Sequence, residues 1–216
     1  MLAPRPIDLP SSCSFSDYFK FNHYPEDLLA HFGYGYRSQS LTLPQQSMPT
    51  PQLHSLQQRL QKTLPWIRLD NEMARREFLI APLLMELVQW IPARVNVSFG
   101  VTVSDQLKGT LDYFLDAAQG LLVIEAKDEN LERGFKQLAV ELVALDQWLE
   151  PGSACLYGAV SVGRVWQFAC LDRAHKTVTQ DLELYRVPGD LGEVMAALGG
   201  ILAGVPVPGE CTGATD

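Results

Sequence analysis

No apolar run in this chain is long enough to cross a membrane. The longest nearly uninterrupted one, Val194 to Val205, is rich in Gly and Ala and falls well short of the roughly 20 residues a spanning helix needs. The N-terminus, Met1-Leu2-Ala3-Pro4-Arg5-Pro6, lacks an apolar signal core, so a cytoplasmic chain with no membrane partner is expected. Cysteine is scarce as well. Cys13, Cys155, Cys170 and Cys211 form no C-x-x-C pair, and the four histidines are scattered, which disfavours a zinc ribbon or finger and reads as reduced thiols. The patterns G-x-x-x-x-G-K-[ST], G-x-G-x-x-G and G-x-S-x-G are all missing, removing the simplest nucleotide-binding and esterase readings. Nor is positive charge in excess. Seventeen Lys and Arg against 25 Asp and Glu leave a net charge of −8, which argues against polybasic binding by bulk charge but leaves local basic patches open.

What is present describes a soluble folded protein. A chain of 216 residues with 47% hydrophobic and 19% charged residues has the size and composition of one domain with an appended arm. Eight of the 14 prolines fall in the first 65 residues, and Arg37 to Thr50 is mostly Ser, Gln, Thr and Pro. Residues 1–50 therefore read as an N-terminal arm and linker, 51–205 as the domain and 206–216 as a tail. Within the arm, Tyr18, Phe19, Phe21, Tyr24, Phe32, Tyr34 and Tyr36 form too apolar a cluster to leave in water, so packing on the domain or on a second subunit is expected.

Leu53, Leu56, Leu60 and Leu64 step by three and four, one face of a short helix that Pro65 closes. A second helix, capped by Asp70, carries Leu79, Leu83 and Leu87 on one face, with a kink expected at Pro82. Val95 to Val103 alternate as a strand, and Thr110 to Leu115 and Leu121 to Ala126 read as two more, together a meander. Asn130 caps the next helix, whose stripe runs from Leu131 through Phe135, Leu138, Leu142 and Leu145 to Leu149. Strands at Cys155 to Val162, Val165 to Leu171 and Thr177 to Tyr185 precede a last helix, Leu191 to Leu202.

The residues with chemistry to offer are carboxylates and one lysine. Residues two apart on a strand share a face, so Glu125 and Lys127 project together from the end of a central strand. Pairing with the preceding strand brings Asp112 beside Glu125, and two carboxylates together suit a hard cation such as magnesium. The competing reading is an exposed strand-end ion pair. Against it, a carboxylate that directly follows four apolar residues is costly to bury unless it is paired or metal-bound. Glu72, in the first turn of the second helix, extends the stripe of Leu79 and Leu83, although an acid at a helix N-terminus needs no function. Gln137 sits one turn beyond Gly134, whose missing side chain allows close approach; a surface glutamine is the alternative.

Taken together, the segment Asn71-Glu72-Met73-Ala74-Arg75-Arg76-Glu77-Phe78-Leu79-Ile80-Ala81-Pro82-Leu83-Leu84, Asp112, the triplet Glu125-Ala126-Lys127 and Gln137 resemble the PD-(D/E)xK nuclease superfamily. They are most similar to the N-terminal nuclease domain of type I restriction motor subunits, over roughly residues 70 to 145. Leu111 stands where the motif's proline would be. The resemblance implies a restriction-endonuclease-like α/β fold, with a central mixed β-sheet flanked by helices. It also implies a magnesium-dependent DNA endonuclease, with manganese as a substitute, and a homodimer is a further partner expectation. Catalytic positions carried over are Glu72, Asp112, Glu125, Lys127 and Gln137; Glu72, Asp112, Glu125 and the Ala126 carbonyl would hold metal. If the three acids converge, the metal-free protein holds like charges together. The alternative function is a binding or scaffold protein that keeps the nuclease fold without turnover.

Overall fold

Runs such as Leu121 to Ile124 and Phe168 to Leu171 are apolar on consecutive residues, the pattern of strands covered on both faces by helices. The structure, a computed structural model, describes residues 4–118, 120–127, 130–150 and 152–207. Its strands are β1 (Gly35–Gln39), β2 (Ala93–Thr102), β3 (Lys108–Ala117), β4 (Leu121–Ala126), β5 (Cys155–Ser161), β6 (Val165–Asp172), β7 (Thr177–Asp181) and β8 (Tyr185–Arg186). They form one open mixed sheet in the order β1-β7-β6-β5-β4-β3-β2, with β8 beside β6. The β2-β3-β4 meander is antiparallel as expected. β4 and β5 are parallel, so their connection must cross over, and α6 (Leu131–Trp148) supplies that crossover.

Helices cover both faces. On one lie α3 (Thr50–Thr63), α5 (Ala81–Trp90) and α7 (Leu191–Leu202); on the other lie α1 (Phe15–Lys20), α2 (Pro25–His31) and α6. The expected α/β class, a central mixed sheet between helices, is what the structure has. No helix among the described residues is long and apolar enough to cross a membrane.

Several details differ from the sequence reading. The N-terminal segment contributes α1, α2 and β1. Phe15, Tyr18, Leu28, Leu29 and Tyr34 are buried in the core beneath α6, and β1 adds to the sheet edge in parallel with β7. The final strand expected at 177–185 is split into β7 and β8. The helix before β2 is capped by Asn71, whose Oδ1 accepts the Ala74 N–H at 2.8 Å, in place of Asp70. That helix runs as α4 (Glu72–Arg75), then a π turn over Arg76–Ile80, then α5. Pro82 has no N–H to donate, and the widened turn immediately before it accommodates the broken ladder. Cys155, expected as a reduced thiol, is disulfide-bonded, a pairing that cysteine spacing alone does not reveal.

Candidate active site

Strand register places the two central carboxylates. β3 and β4 pair from Asp116 opposite Leu121 to Tyr113 opposite Ile124, so the next step sets Asp112 opposite Glu125. There the strands stop exchanging backbone bonds, and the Ala126 N–H donates instead to Asp112 Oδ2 at 3.0 Å. Along β4 the alternation is strict. Leu122, Ile124 and Ala126 enter the core beneath α5 and α7, whereas Val123 enters the one beneath α6. Glu125 therefore points toward α6. Lys127, two residues on, forms an ion pair with Glu125 Oε1, the same-face geometry the sequence implies.

α6 completes this face. Gln137 Nε2 donates to Glu125 Oε1 at 2.7 Å and to Glu141 Oε1 at 2.9 Å, so one amide bridges two buried carboxyl groups. Close approach depends on Gly134, because a Cβ there would lie 2.6 Å from Val160 Cγ2 and 3.1 Å from Lys127 Cγ. Gly134→Ala gains about 1 kcal/mol of helix propensity. Overpacking costs about 1–3 kcal/mol and outweighs it. The variant is expected to melt below wild type, as thermal denaturation would read directly. A higher melting temperature would mean that α6 has room to move off β5.

Burial sets the electrostatics. Glu125 is 1% exposed, and desolvation followed by the nearby Asp112 charge pushes its pKa up to about 8, with Lys127 pulling the other way. Glu141 is fully buried and is driven well above the ordinary carboxylate range, first by desolvation and then by Glu125. Burial works against the Lys127 ammonium, but Glu125, Asp112 and Glu72 together outweigh it and raise its pKa. Three buried oxygens, Glu125 Oε2, Gln137 Oε1 and Glu141 Oε2, have no hydrogen-bond partner among the described residues.

From the opposite side, α4 and its π turn approach Asp112. Arg76 Nη1 donates to Asp112 Oδ1 at 3.0 Å, and the guanidinium lies 5.1 Å from the centre of the Tyr113 ring. Glu72, half-buried on α4, acts electrostatically on both Arg76 and Lys127. Among the described residues no three His, Cys, Asp or Glu side chains group closely enough to hold a metal ion. Asp112 and Glu125 are each engaged by a cation, Arg76 and Lys127 respectively, so the unrelieved like-charge cluster expected for the metal-free protein is not what the structure has.

Glu72, Asp112, Glu125, Ala126, Lys127 and Gln137 thus gather at one end of β4. Glu141 and Phe19 also sit here, neither of them an expected site residue. Glu141 carries a signal, an acid one helical turn after Gln137 within the apolar stretch Leu138 to Leu145. Phe19 does not: it belongs to the N-terminal segment, yet its ring lies 5.3 Å from Lys127 Nζ. No family model, curated protein or solved structure matches this chain.

Proposed function

We propose that the chain is a metal-dependent DNA endonuclease of PD-(D/E)xK type, built on a restriction-endonuclease-like fold. The observation that carries this reading is the placement of Asp112 opposite Glu125 at the end of the β3–β4 ladder, with Lys127 on the Glu125 face and Gln137 behind it. The donor set is all oxygen, which suits magnesium or manganese. Glu125 Oε2, buried and without a hydrogen-bond partner, has a lone pair to offer. Asp112, Glu125 and the Ala126 carbonyl would hold the ion, with Glu72 behind them. When bound, such an ion polarises the phosphate and lowers the pKa of the attacking water.

The chain's own residues have separable tasks. Lys127 keeps its proton, because the surrounding carboxylates raise its pKa, so it orients water and meets charge developing on the phosphorane as a cation. Gln137 fixes the Glu125 rotamer through Oε1 and leaves Oε2 available. Arg76 holds Asp112 Oδ1 and must release it for that oxygen to take a cation.

Supercoiled plasmid and branched DNA incubated with the protein are expected to be nicked in magnesium or manganese and untouched in EDTA. Intact substrate under every metal condition would favour the non-catalytic scaffold. The Arg76–Asp112 and Lys127–Glu125 ion pairs are the observation on that side, since they close the site with the protein's own cations.

A further inference from the structure

A cleft of about 1630 Å³ opens beside the candidate active site, and its lining holds more cationic than acidic side chains. Arg5, Arg75, Arg133 and Arg164 line it, and none of the four forms an ion pair among the described residues. Arg75 Nε also donates to the Leu69 carbonyl at 3.0 Å, but arginines without an acidic partner that face one cavity are a phosphate-binding arrangement, because the guanidinium fork matches phosphate oxygens and sheds water readily. Lys136 also lines the cleft, but its ammonium is committed to the Phe21 carbonyl. Three acids share the walls, Glu26, Glu132 and Asp181, which temper the field.

Chain connectivity joins this cleft to the site. Arg75 directly precedes Arg76, which holds Asp112. Val162 directly follows Ser161, whose carbonyl accepts the Lys127 N–H at 2.8 Å. Arg164 is carried by the β5–β6 turn, and a Cβ at Gly163 in that turn would lie 3.1 Å from Arg75 Cβ, so two of the arginine-bearing segments are in contact. The lining also carries aromatic rings: Tyr24, which is 61% exposed, His23 and Tyr36.

We propose that this cleft is a track for single-stranded DNA, with the arginines on successive phosphates and Tyr24 stacked on a base, leading the strand to the carboxylates of β3 and β4. The inference rests on the nuclease reading and adds the form of the substrate. Cations interleaved with exposed aromatic rings are the combination that binds unpaired strands, because every base has a face to stack and a duplex hides it. A duplex offers a denser phosphate array but no base faces, and the acids in the cleft work against it.

The test is fluorescence anisotropy of a labelled oligothymidylate of about 12 nucleotides, with the full chain in EDTA. Wild type is expected to bind the single strand more tightly than a duplex of equal length. The double variant Arg133→Glu/Arg164→Glu should weaken binding by at least about tenfold and flatten its salt dependence. Tyr24→Ala should weaken single-strand binding by about fivefold or more and leave the duplex unaffected. Arg133, Arg164 and Tyr24 are exposed, and circular dichroism of each variant verifies the fold. Equal affinity for the duplex, or unchanged binding by the arginine double variant, overturns the proposal. Because the assay contains no divalent cation, the two readings fail separately. Strand binding by a protein that cuts nothing in magnesium removes the nuclease and keeps the cleft; metal-dependent cutting without arginine-dependent binding removes the cleft alone.

Discussion

Lys127→Ala is expected to lower the rate of DNA cleavage by about two to three orders of magnitude, the usual cost of removing one preorganised donor from developing charge. The fold should survive the change. Without Lys127 the buried Glu125 carboxyl is left beside Asp112 with no cation on its own face, but burial already pushes its pKa up to about 8, so it takes up a proton and the interior holds no bare charge. Circular dichroism in EDTA should match wild type, while plasmid nicking in magnesium should fall to near background. Retention of full activity would make the lysine a structural partner of Glu125 and nothing more. Glu125→Gln should remove metal binding and cleavage together, since the amide keeps the shape but loses the charge that holds a cation.

Deleting residues 1–50 should abolish cooperative folding. The deletion strips β1 from β7 and removes the side chains of Phe15, Tyr18, Leu28, Leu29 and Tyr34 from the core beneath α6. A single buried leucine or aromatic truncated to alanine costs about 2–5 kcal/mol, and a whole domain is stable by about 5–15 kcal/mol. The loss of five such residues exceeds what the remainder can absorb. Polar ties go with them: Tyr34 Oη donates to Asp146 Oδ2 at 2.6 Å, and Tyr18 Oη donates to the Gln106 carbonyl at 2.7 Å. Thermal denaturation should show no sharp transition, and sedimentation should show aggregates. An unchanged melting temperature and sedimentation coefficient would mean that these helices only decorate the surface.

Stability of the metal-free protein should also respond to pH. Glu125 has a folded pKa of about 8, above the ordinary glutamate value of 4.5, so folding takes up a proton between those values. Its contribution is full below about pH 4.5 and is lost as the pH rises through about 8. The charged and titratable neighbours are Asp112 on β3, Lys127 after β4 and Glu141 on α6, the last shifted in the same direction. Melting temperature in EDTA should therefore fall as pH rises across this window, and the fall should be shallower in Glu125→Gln. A rise over the same range would place Glu125 in its ordinary ionised state.

The strongest periodicities carried the fold reading. The stripe from Leu131 to Leu149 and the Asn130 cap became α6, with Asn130 Oδ1 accepting the Arg133 N–H at 3.0 Å, and the last helix begins and ends where its pattern does. The pairing of Glu125 with Lys127 was legible because strand geometry alone puts alternate residues on one face. The N-terminal elements were not. α1 and α2 span six and seven residues, too short for a helical period to emerge, and β1 reads Gly-Tyr-Arg-Ser-Gln with no apolar alternation. Their order comes from tertiary burial, which a local pattern does not record. The same gap hid Phe19 over Lys127 and the Tyr24 wall of the arginine-lined cleft, both supplied by that segment. Arg76 on Asp112 was hidden for another reason: 36 positions separate the two, and a π turn sets the helix phase that brings them together.

The most direct measurement is the melting temperature of wild type and Asp112→Asn as magnesium is titrated from EDTA to millimolar concentration. If Asp112 and Glu125 share a cation, it binds the folded state alone, and at about 100 times its dissociation constant it adds roughly 2.7 kcal/mol of stability. Wild type should rise by the corresponding few degrees. Asp112→Asn keeps the side-chain shape but gives up the ionic part of its contact with Arg76, a pair that is partly exposed, so its melting temperature in EDTA should differ little from wild type. It should then lose most of the magnesium-induced rise. A wild type that does not respond to millimolar magnesium, or a variant that responds as strongly as wild type, would contradict a metal site at these carboxylates.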